Sequence, residues 1–137
     1  MQGGSPGAYP PIVECPFCSR IRSGDLLLDG GVVVAMADAY PVSPGHVLIV
    51  PRRHEPDFFR LTDEERAALW EMVSAARQAI ERSHAPSGYN IGINVGSAAG
   101  QTVLHAHLHV IPRYEGDSTD PRGGVRWVLP EHARYWK

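Results

Sequence analysis

The segment Val103-Leu104-His105-Ala106-His107-Leu108-His109-Val110-Ile111 sets three histidines at alternate positions of an otherwise apolar run. Successive side chains of an extended strand leave opposite faces. The pattern therefore predicts the three imidazoles on one face, spaced by about 6 to 7 Å, with Leu104, Ala106, Leu108 and Val110 packing on the other. Three titratable rings on one face do not make a core. Histidine, with an unperturbed pKa of about 6.5, is both the usual acid–base group near neutrality and a common metal ligand. The triplet thus admits phosphoryl or acyl transfer, a metal site, or both.

Outward from this strand, residues 89–95 read as a further strand, joined to it by the loop Gly96-Ser97-Ala98-Ala99-Gly100-Gln101-Thr102. A loop of small residues lets backbone N–H groups approach a phosphate, and Asn94, Gln101 and Thr102 can donate to its oxygens. Earlier in the chain, Thr62-Asp63-Glu64-Glu65 is a capping box, followed by Leu69, Met72, Val73, Ala76 and Ile80 at helical spacing. This predicts a helix over residues 63–83 with one apolar stripe for packing and a solvated charged face.

Residues 26–28 and 32–37 flank Asp29-Gly30-Gly31, a strong hairpin signal. His46-Val47-Leu48-Ile49-Val50 reads as a third strand stopped by Pro51, and residues 15–21 as a short helical turn ended by Ser23-Gly24. The expected fold is α+β: a mainly antiparallel five-stranded sheet, one long helix and a short N-terminal helical turn. Residues 1–12, rich in Gly and Pro, are expected to form a flexible leader, residues 13–113 the domain, and residues 114–137 a tail packed on or near it, with no structure assigned.

The length of 137 residues suits one domain with a real core. A net charge of −2 gives no global field for nucleic acid or an anionic membrane, so any phosphate binding must be local. No stretch approaches the roughly 18 to 20 apolar residues of a membrane span, and no basic region precedes an apolar one at the start, so a cytoplasmic protein is expected. The two cysteines, Cys15 and Cys18, stand in a Cys-Pro-Phe-Cys pair. That spacing suits a metal knuckle better than a redox dithiol, which wants a buried strand before the first cysteine, but it supplies only half a site.

The sequence His105-Ala106-His107-Leu108-His109-Val110-Ile111 resembles the signature of the histidine-triad (HIT) family of nucleotide hydrolases and transferases. The resemblance runs through Gly100-Gln101-Thr102 and Asn94, through Pro44-Gly45-His46-Val47-Leu48-Ile49-Val50-Pro51 and His54, and back to Cys15. It implies a HIT-like fold and an enzyme that cleaves at the α-phosphate of an adenosine-type polyphosphate or phosphoramidate. By the same resemblance, His107 is the nucleophile that carries the nucleotidyl group, and two displacements at a crowded phosphorus replace one. This requires a hydrogen-bond acceptor, expected to be a backbone carbonyl, on the other ring nitrogen of His107.

His109 and His46 are implied to stabilise charge on the phosphate, and Asn94, Gly100, Gln101 and Thr102 to contact it. Asp38 matches the group that holds the ribose, while Phe17, Ile21 and Met36 wall the base. Cys15, Cys18, His54 and His105 match the ligands of a closed, structural zinc site in the zinc-bearing members. A competing geometry places a metal on His105 and His107 together. The resemblance further implies a homodimer. Alternatives to a hydrolase are a nucleotidyltransferase or phosphorylase of the same superfamily, and a zinc-stabilised nucleotide-binding protein with little turnover. Asn94 stands where the dinucleoside-polyphosphate hydrolases resembling the fragile-site protein carry Gln, and the tail looks like that of bacterial members.

Overall fold

The computed structural model describes residues 15–137, and the expected leader, residues 1–12, lies outside the described residues. Helix α1 (Pro16–Ser23) opens on a proline at its first turn, where a missing N–H costs nothing. It closes on Gly24, whose φ of 76° lets its N–H return to the Arg20 and Ile21 carbonyls. Strand β1 (Leu28–Asp29) pairs antiparallel with β2 (Val33–Ala37), Leu28 opposite Ala35 and Asp29 opposite Val34. The Asp-Gly-Gly turn predicted from sequence joins them, closed by Gly30 N–H to the Val33 carbonyl at 2.9 Å.

Strand β3 (Val47–Pro51) follows, then α2 (Asp63–Glu81), β4 (Gly88–Ile93) and β5 (Leu108–Arg113). The sheet order is β1-β2-β3-β5-β4, every pairing antiparallel. The capping box at α2 is present: Thr62 Oγ1 accepts from Glu65 N–H at 3.0 Å, and Glu65 Oε1 accepts from Thr62 N–H at 2.9 Å. Leu69, Ala76 and Ile80 of its stripe pack on one sheet face against Val33, Ala35, Val47, Ile49, Leu108 and Val110. The opposite face carries Val34, Met36, Leu48 and Val50, covered by Phe17 of α1. Burying each large apolar side chain contributes roughly 1.5 to 3 kcal/mol, so α2 and α1 are held by the two faces they cover. Among the described residues no helix is long and apolar enough to cross a membrane.

One expectation is corrected at the centre of the molecule. The strand predicted through the histidine triplet begins only at Leu108, so His105 and His107 precede β5 and only His109 lies within it. The β3–β5 ladder runs from Val47 opposite Val110 to Ile49 opposite Leu108 and stops there. Further along β3, Pro51 has no N–H to donate, and its carbonyl is taken by the His105 ring at 2.7 Å. The Ala106 N–H turns instead to the Glu55 carbonyl at 2.7 Å. Ala106, Leu108 and Val110 are buried as expected, but Leu104 is 37% exposed, because the chain there has left the sheet.

The tail, given no structure from sequence, forms a short 3₁₀ turn over Gly124–Val128 and a single-turn helix α3 (Pro130–Ala133) beside β4. Its order comes from cation–aromatic stacking: Arg122 over Trp136 and Arg126 over Tyr135, both at 4.8 Å, and Arg134 over Trp127 at 5.3 Å. The Arg126 guanidinium also donates to the Ala133 carbonyl at 2.8 Å, which ties the two turns together.

Candidate active site and metal centre

Despite the irregular backbone before β5, the three rings remain neighbours, with the centroids of His107 and His109 5.0 Å apart. His107 Nδ1 lies 2.8 Å from the carbonyl oxygen of His105. A carbonyl only accepts, so Nδ1 carries the hydrogen and Nε2 keeps a free lone pair. This is the backbone acceptor that a nucleophilic His107 requires. The ring is 7% exposed, and Phe17 meets it edge-on at 5.0 Å while touching His105 at 5.8 Å. Phe17 therefore clamps the histidines, and its seat in the core leaves little of it to wall a base.

A second chain of hydrogen bonds fixes His109. The Val42 N–H donates to His46 Nδ1 at 3.1 Å, so the hydrogen of His46 is on Nε2. That nitrogen lies 3.0 Å from His109 Nδ1 and 3.3 Å from Asp38 Oδ2. His46 thus donates to His109 Nδ1, which leaves the His109 hydrogen on Nε2, available to an anion. Asp38 follows β2, its other oxygen accepting from the Tyr40 N–H at 2.8 Å. Asp38, His46 and His109 converge closely enough to hold a cation, but the proton shared by the two rings makes them a hydrogen-bond relay.

Burial sets the electrostatics of these rings. It pushes His107 below the ordinary imidazole value, against the opposing bond to His105 and the Asp38 carboxylate. It holds His109 at about 4, aided by repulsion from His107 and His46 and opposed by Asp38. His46 is lowered for the same first reason, with Asp38 raising it and His107 lowering it. All three are neutral near pH 7. Neutrality suits a nucleophile with a free lone pair and a donor that must not repel it.

The four residues expected as metal ligands come together at the start of α1. Cys15 Sγ lies 3.3 Å and Cys18 Sγ 3.6 Å from His105 Nδ1; Cys18 Sγ is 3.4 Å from His54 Nδ1, and the two imidazole Nδ1 atoms are 3.2 Å apart. A tetrahedral zinc centre with Zn–N of about 2.05 Å and Zn–S of about 2.3 Å has N–N edges near ~3.3 Å and N–S edges near ~3.5 Å. The donor set fits zinc. The His105 Nε2–H bond to the Pro51 carbonyl supplies the outer partner that orients a metal-ligating imidazole. The competing site on His105 and His107 is disfavoured, since the Nδ1 atoms of these rings serve different partners.

Several expected substrate contacts are corrected. The Gln101 side chain braces its own loop: Oε1 accepts from Gly96 N–H at 2.9 Å, and Nε2 donates to the Pro56 and Val103 carbonyls at 2.8 and 3.1 Å. It has no donor left for a phosphate. The N–H groups of Ala99, Gly100 and Gln101 are likewise taken by the Gly96 and Ser97 carbonyls, so Gly100 contributes a left-handed turn, φ 93°, instead of an N–H. Met36 is fully buried and presents no wall to a base. Ile21 is partly buried against the same core cluster, and Thr102 is exposed at the end of the loop.

Asn94 lines a cavity of about 540 Å³ with Asp38, His46 and His109, and with Tyr40, Val42, Ile111, Val125 and Val128, which sequence reasoning missed. Ile111 was within reach, since it shares the face of His109 along β5. Val125 and Val128 sit in the tail, where no periodicity marks them.

Comparison with known proteins agrees with this geometry. The family model described as "HIT domain" matches residues 22–116. An AP-4-A phosphorylase of Mycobacterium tuberculosis is 37% identical over 109 residues, 79% of this chain and 55% of the relative. A bis(5′-nucleosyl)-tetraphosphatase (asymmetrical) of Schizosaccharomyces pombe is 42% identical over 86 residues, 63% of this chain and 47% of the relative. The chain thus spans about half the length of these two curated relatives. Among solved structures, a Zn-bound histidine triad family protein from Mycobacterium smegmatis is 37% identical, with a TM-score of 0.68, over 77% of this chain and 79% of that one. The chain belongs to the HIT family.

Proposed function

We propose that the protein is a nucleotide hydrolase that cleaves at the α-phosphate of an adenosine-type polyphosphate or phosphoramidate through a covalent intermediate on His107. The observation that carries this reading is the His107 Nδ1–H bond to the His105 carbonyl at 2.8 Å. It leaves Nε2 as a nucleophile in a neutral ring and stays in place to stabilise the imidazolium once Nε2 is phosphorylated. In the first step Nε2 bonds to the α-phosphorus as the bond to the leaving group breaks, and the electron pair departs with that group. In the second, water attacks phosphorus, the N–P bond breaks with its electrons returning to Nε2, and the water's proton is released to solvent.

His109, donating through Nε2–H, stabilises charge on the phosphate oxygens, with His46 fixing its tautomer. Asn94 and Thr102 serve as further phosphate contacts, Asp38 as the ribose contact and Ile21 as the residual apolar contact for the base. Cys15, Cys18, His54 and His105 would hold a zinc ion with four protein donors, and such an ion would supply structural cohesion instead of Lewis acidity. A homodimer fits the sheet, because β4 is an edge strand with no further strand beside it among the described residues.

The test is rapid quenching after mixing with adenosine substrates labelled at the α-phosphorus. An acid-labile, base-stable label on the protein that is absent in His107→Ala is expected; turnover without any such adduct refutes the mechanism. The M. tuberculosis relative's name favours a second reading, phosphorolysis, in which inorganic phosphate replaces water in the second step. Acceleration by phosphate with release of nucleoside diphosphate would select it.

A further inference from the structure

On the other side of the turn over residues 41–45 from the cavity beside His109 lies a second cavity, of about 300 Å³, enough for a small organic molecule. Among the described residues, neither His107 nor His109 nor any residue of β4 lines it, so it is separate from the triad and from the free sheet edge. Leu27, Pro41, Val47, Ala79 and Ile80 give it apolar walls, and Asp38 and His46 stand where it adjoins the cavity beside His109. A Cβ on Gly45 would come within 3.3 Å of Ile80 and 3.4 Å of His84, so the turn and the end of α2 close against each other at one side.

The charge around this cavity is negative. Asp38 brings a carboxylate, and α2 ends here with no basic residue in its last turn, so the partial negative charge of a helix C-terminus is left uncompensated. No lysine or arginine lines the cavity among the described residues. An anion is repelled, a neutral apolar body gains only contact area, and a cation on an apolar stem gains both contact and charge attraction. The cationic head must be compact, because the Asp38 side chain is only 15% exposed.

The turn also joins this cavity to the catalytic rings. Pro41 and Gly45 line it, whereas Val42 between them lines the cavity beside His109 and gives its N–H to His46 Nδ1 at 3.1 Å. Asp38 and His46 border both spaces.

We propose that this second cavity binds a small primary ammonium ion on an apolar or aromatic stem, and that its occupant and a nucleotide oppose each other through Asp38. The proposal rests on the reading of Asp38 as the ribose contact, since a carboxylate drawn to an ammonium is a poorer acceptor for ribose hydroxyls. Linkage is reciprocal, so each ligand weakens the other by the same factor, up to about fivefold for a partly exposed charge pair.

The test titrates the full chain with phenethylammonium chloride and with phenethyl alcohol, its neutral isostere, followed by amide chemical shifts. The ammonium should saturate with a Kd of about 1 mM or tighter. It should shift the amides of Val47, Ala79 and Ser83 first and bind up to about fivefold tighter than the alcohol. Ala79→Leu, which fills the cavity, should weaken both probes about tenfold. Ser83 is exposed at the rim, so Ser83→Arg should weaken, and Ser83→Asp strengthen, the ammonium alone. Thermal melting checks that each variant is folded, and the two rim variants stand if Ala79→Leu does not fold. Shifts scattered over the surface, or equal binding of the two probes in every variant, overturn the site.

Titration of AMP with and without saturating phenethylammonium measures the coupling, independently of turnover. AMP should bind up to about fivefold more weakly in its presence. Complete mutual exclusion that is insensitive to Ala79→Leu would place the ammonium in the nucleotide site and overturn the proposal. An unchanged AMP affinity beside a site that responds to Ala79 and Ser83 overturns the coupling and removes Asp38 from the ribose, while the cation site stands. Absence of an adduct on His107 would sink the hydrolase reading and leave these binding results intact.

Discussion

His109 offers a quantitative link between burial and pH. Its folded pKa is about 4 against an ordinary 6.5, chiefly through burial and secondarily through repulsion by His107 and His46. The unfolded chain therefore binds this proton first. Between about pH 6.5 and 4 the unfolded state holds more protons, so acidification costs stability, whereas above about 6.5 both states are neutral and the residue contributes no slope. The gap between the two values corresponds to about 2 to 3 kcal/mol at pH 4 after allowing for the ring's partial exposure.

The replacement His109→Asn keeps an acceptor for His46 Nε2–H and removes the titrating ring. Urea unfolding of zinc-loaded wild type and variant, from pH 7.5 to pH 5, should show the wild type losing up to about 2 kcal/mol more than the variant. Ligand protonation at the zinc site is common to both proteins and largely cancels in the difference. Parallel stability curves would refute the assignment of His109 as a buried neutral donor. In kinetics, a neutral His109 predicts no second limb of kcat/KM on the alkaline side from its own titration. The acid limb that reports His107 should fall below the ordinary imidazole range, because burial lowers that ring too.

Three further outcomes are expected. His107→Ala should lower kcat by roughly 10³-fold or more while calorimetry shows nucleotide affinity little changed, and activity within tenfold of wild type would contradict a covalent role. Cys15→Ser should lower zinc content and melting temperature together from about one zinc per chain, as measured by elemental analysis and thermal denaturation; full metal content at unchanged stability would show that Cys15 is not a ligand. Gln101→Ala removes three hydrogen bonds to backbone groups and should cost roughly 3 kcal/mol by urea unfolding, with a rise in hydrogen exchange around Gly96; a loss confined to KM would return Gln101 to the phosphate.

Much of the scaffold was readable because its signals are local. Thr62 and Glu65 announce their helix by a reciprocal cap, and Asp29-Gly30-Gly31 marks a hairpin through the positive φ of Gly31 and the Asp29 side chain that accepts its N–H. The cysteine half of the candidate metal set was legible from the Cys15–Cys18 spacing, but His54 and His105 joined it only through the family resemblance, since the four residues come from three distant segments. The triad misled on its backbone: alternation of apolar and polar residues satisfies a strand, yet Ala106 and His105 turn their donors to Glu55 and Pro51 carbonyls. Nothing in the sequence 102–107 states that preference, which depends on where β3 ends. The roles of Gln101 and Met36 failed for a related reason, because a donor or an apolar side chain near a site is not thereby exposed to it. The tail lay beyond periodicity altogether; its arginines and aromatics find one another in space.

The departure of His105 and His107 from the sheet has a mechanical consequence. Had residues 102–107 continued β5, the His105 carbonyl would have been directed into a ladder, and the tautomer of His107 would have depended on some other group. Instead the residue whose Nδ1 faces the two cysteines also presents its own carbonyl to His107. Fixing the His105 ring between the Cys-His cluster and Pro51 therefore fixes, through one peptide unit, the acceptor that selects which nitrogen of His107 keeps its lone pair. Phe17, lying between Cys15 and Cys18 in sequence and against both rings in space, adds a second tie between the Cys-His cluster and His107. A zinc held by Cys15, Cys18, His54 and His105 would therefore act on the neighbouring rings through geometry alone, and Cys15→Ser is expected to loosen catalysis together with the fold.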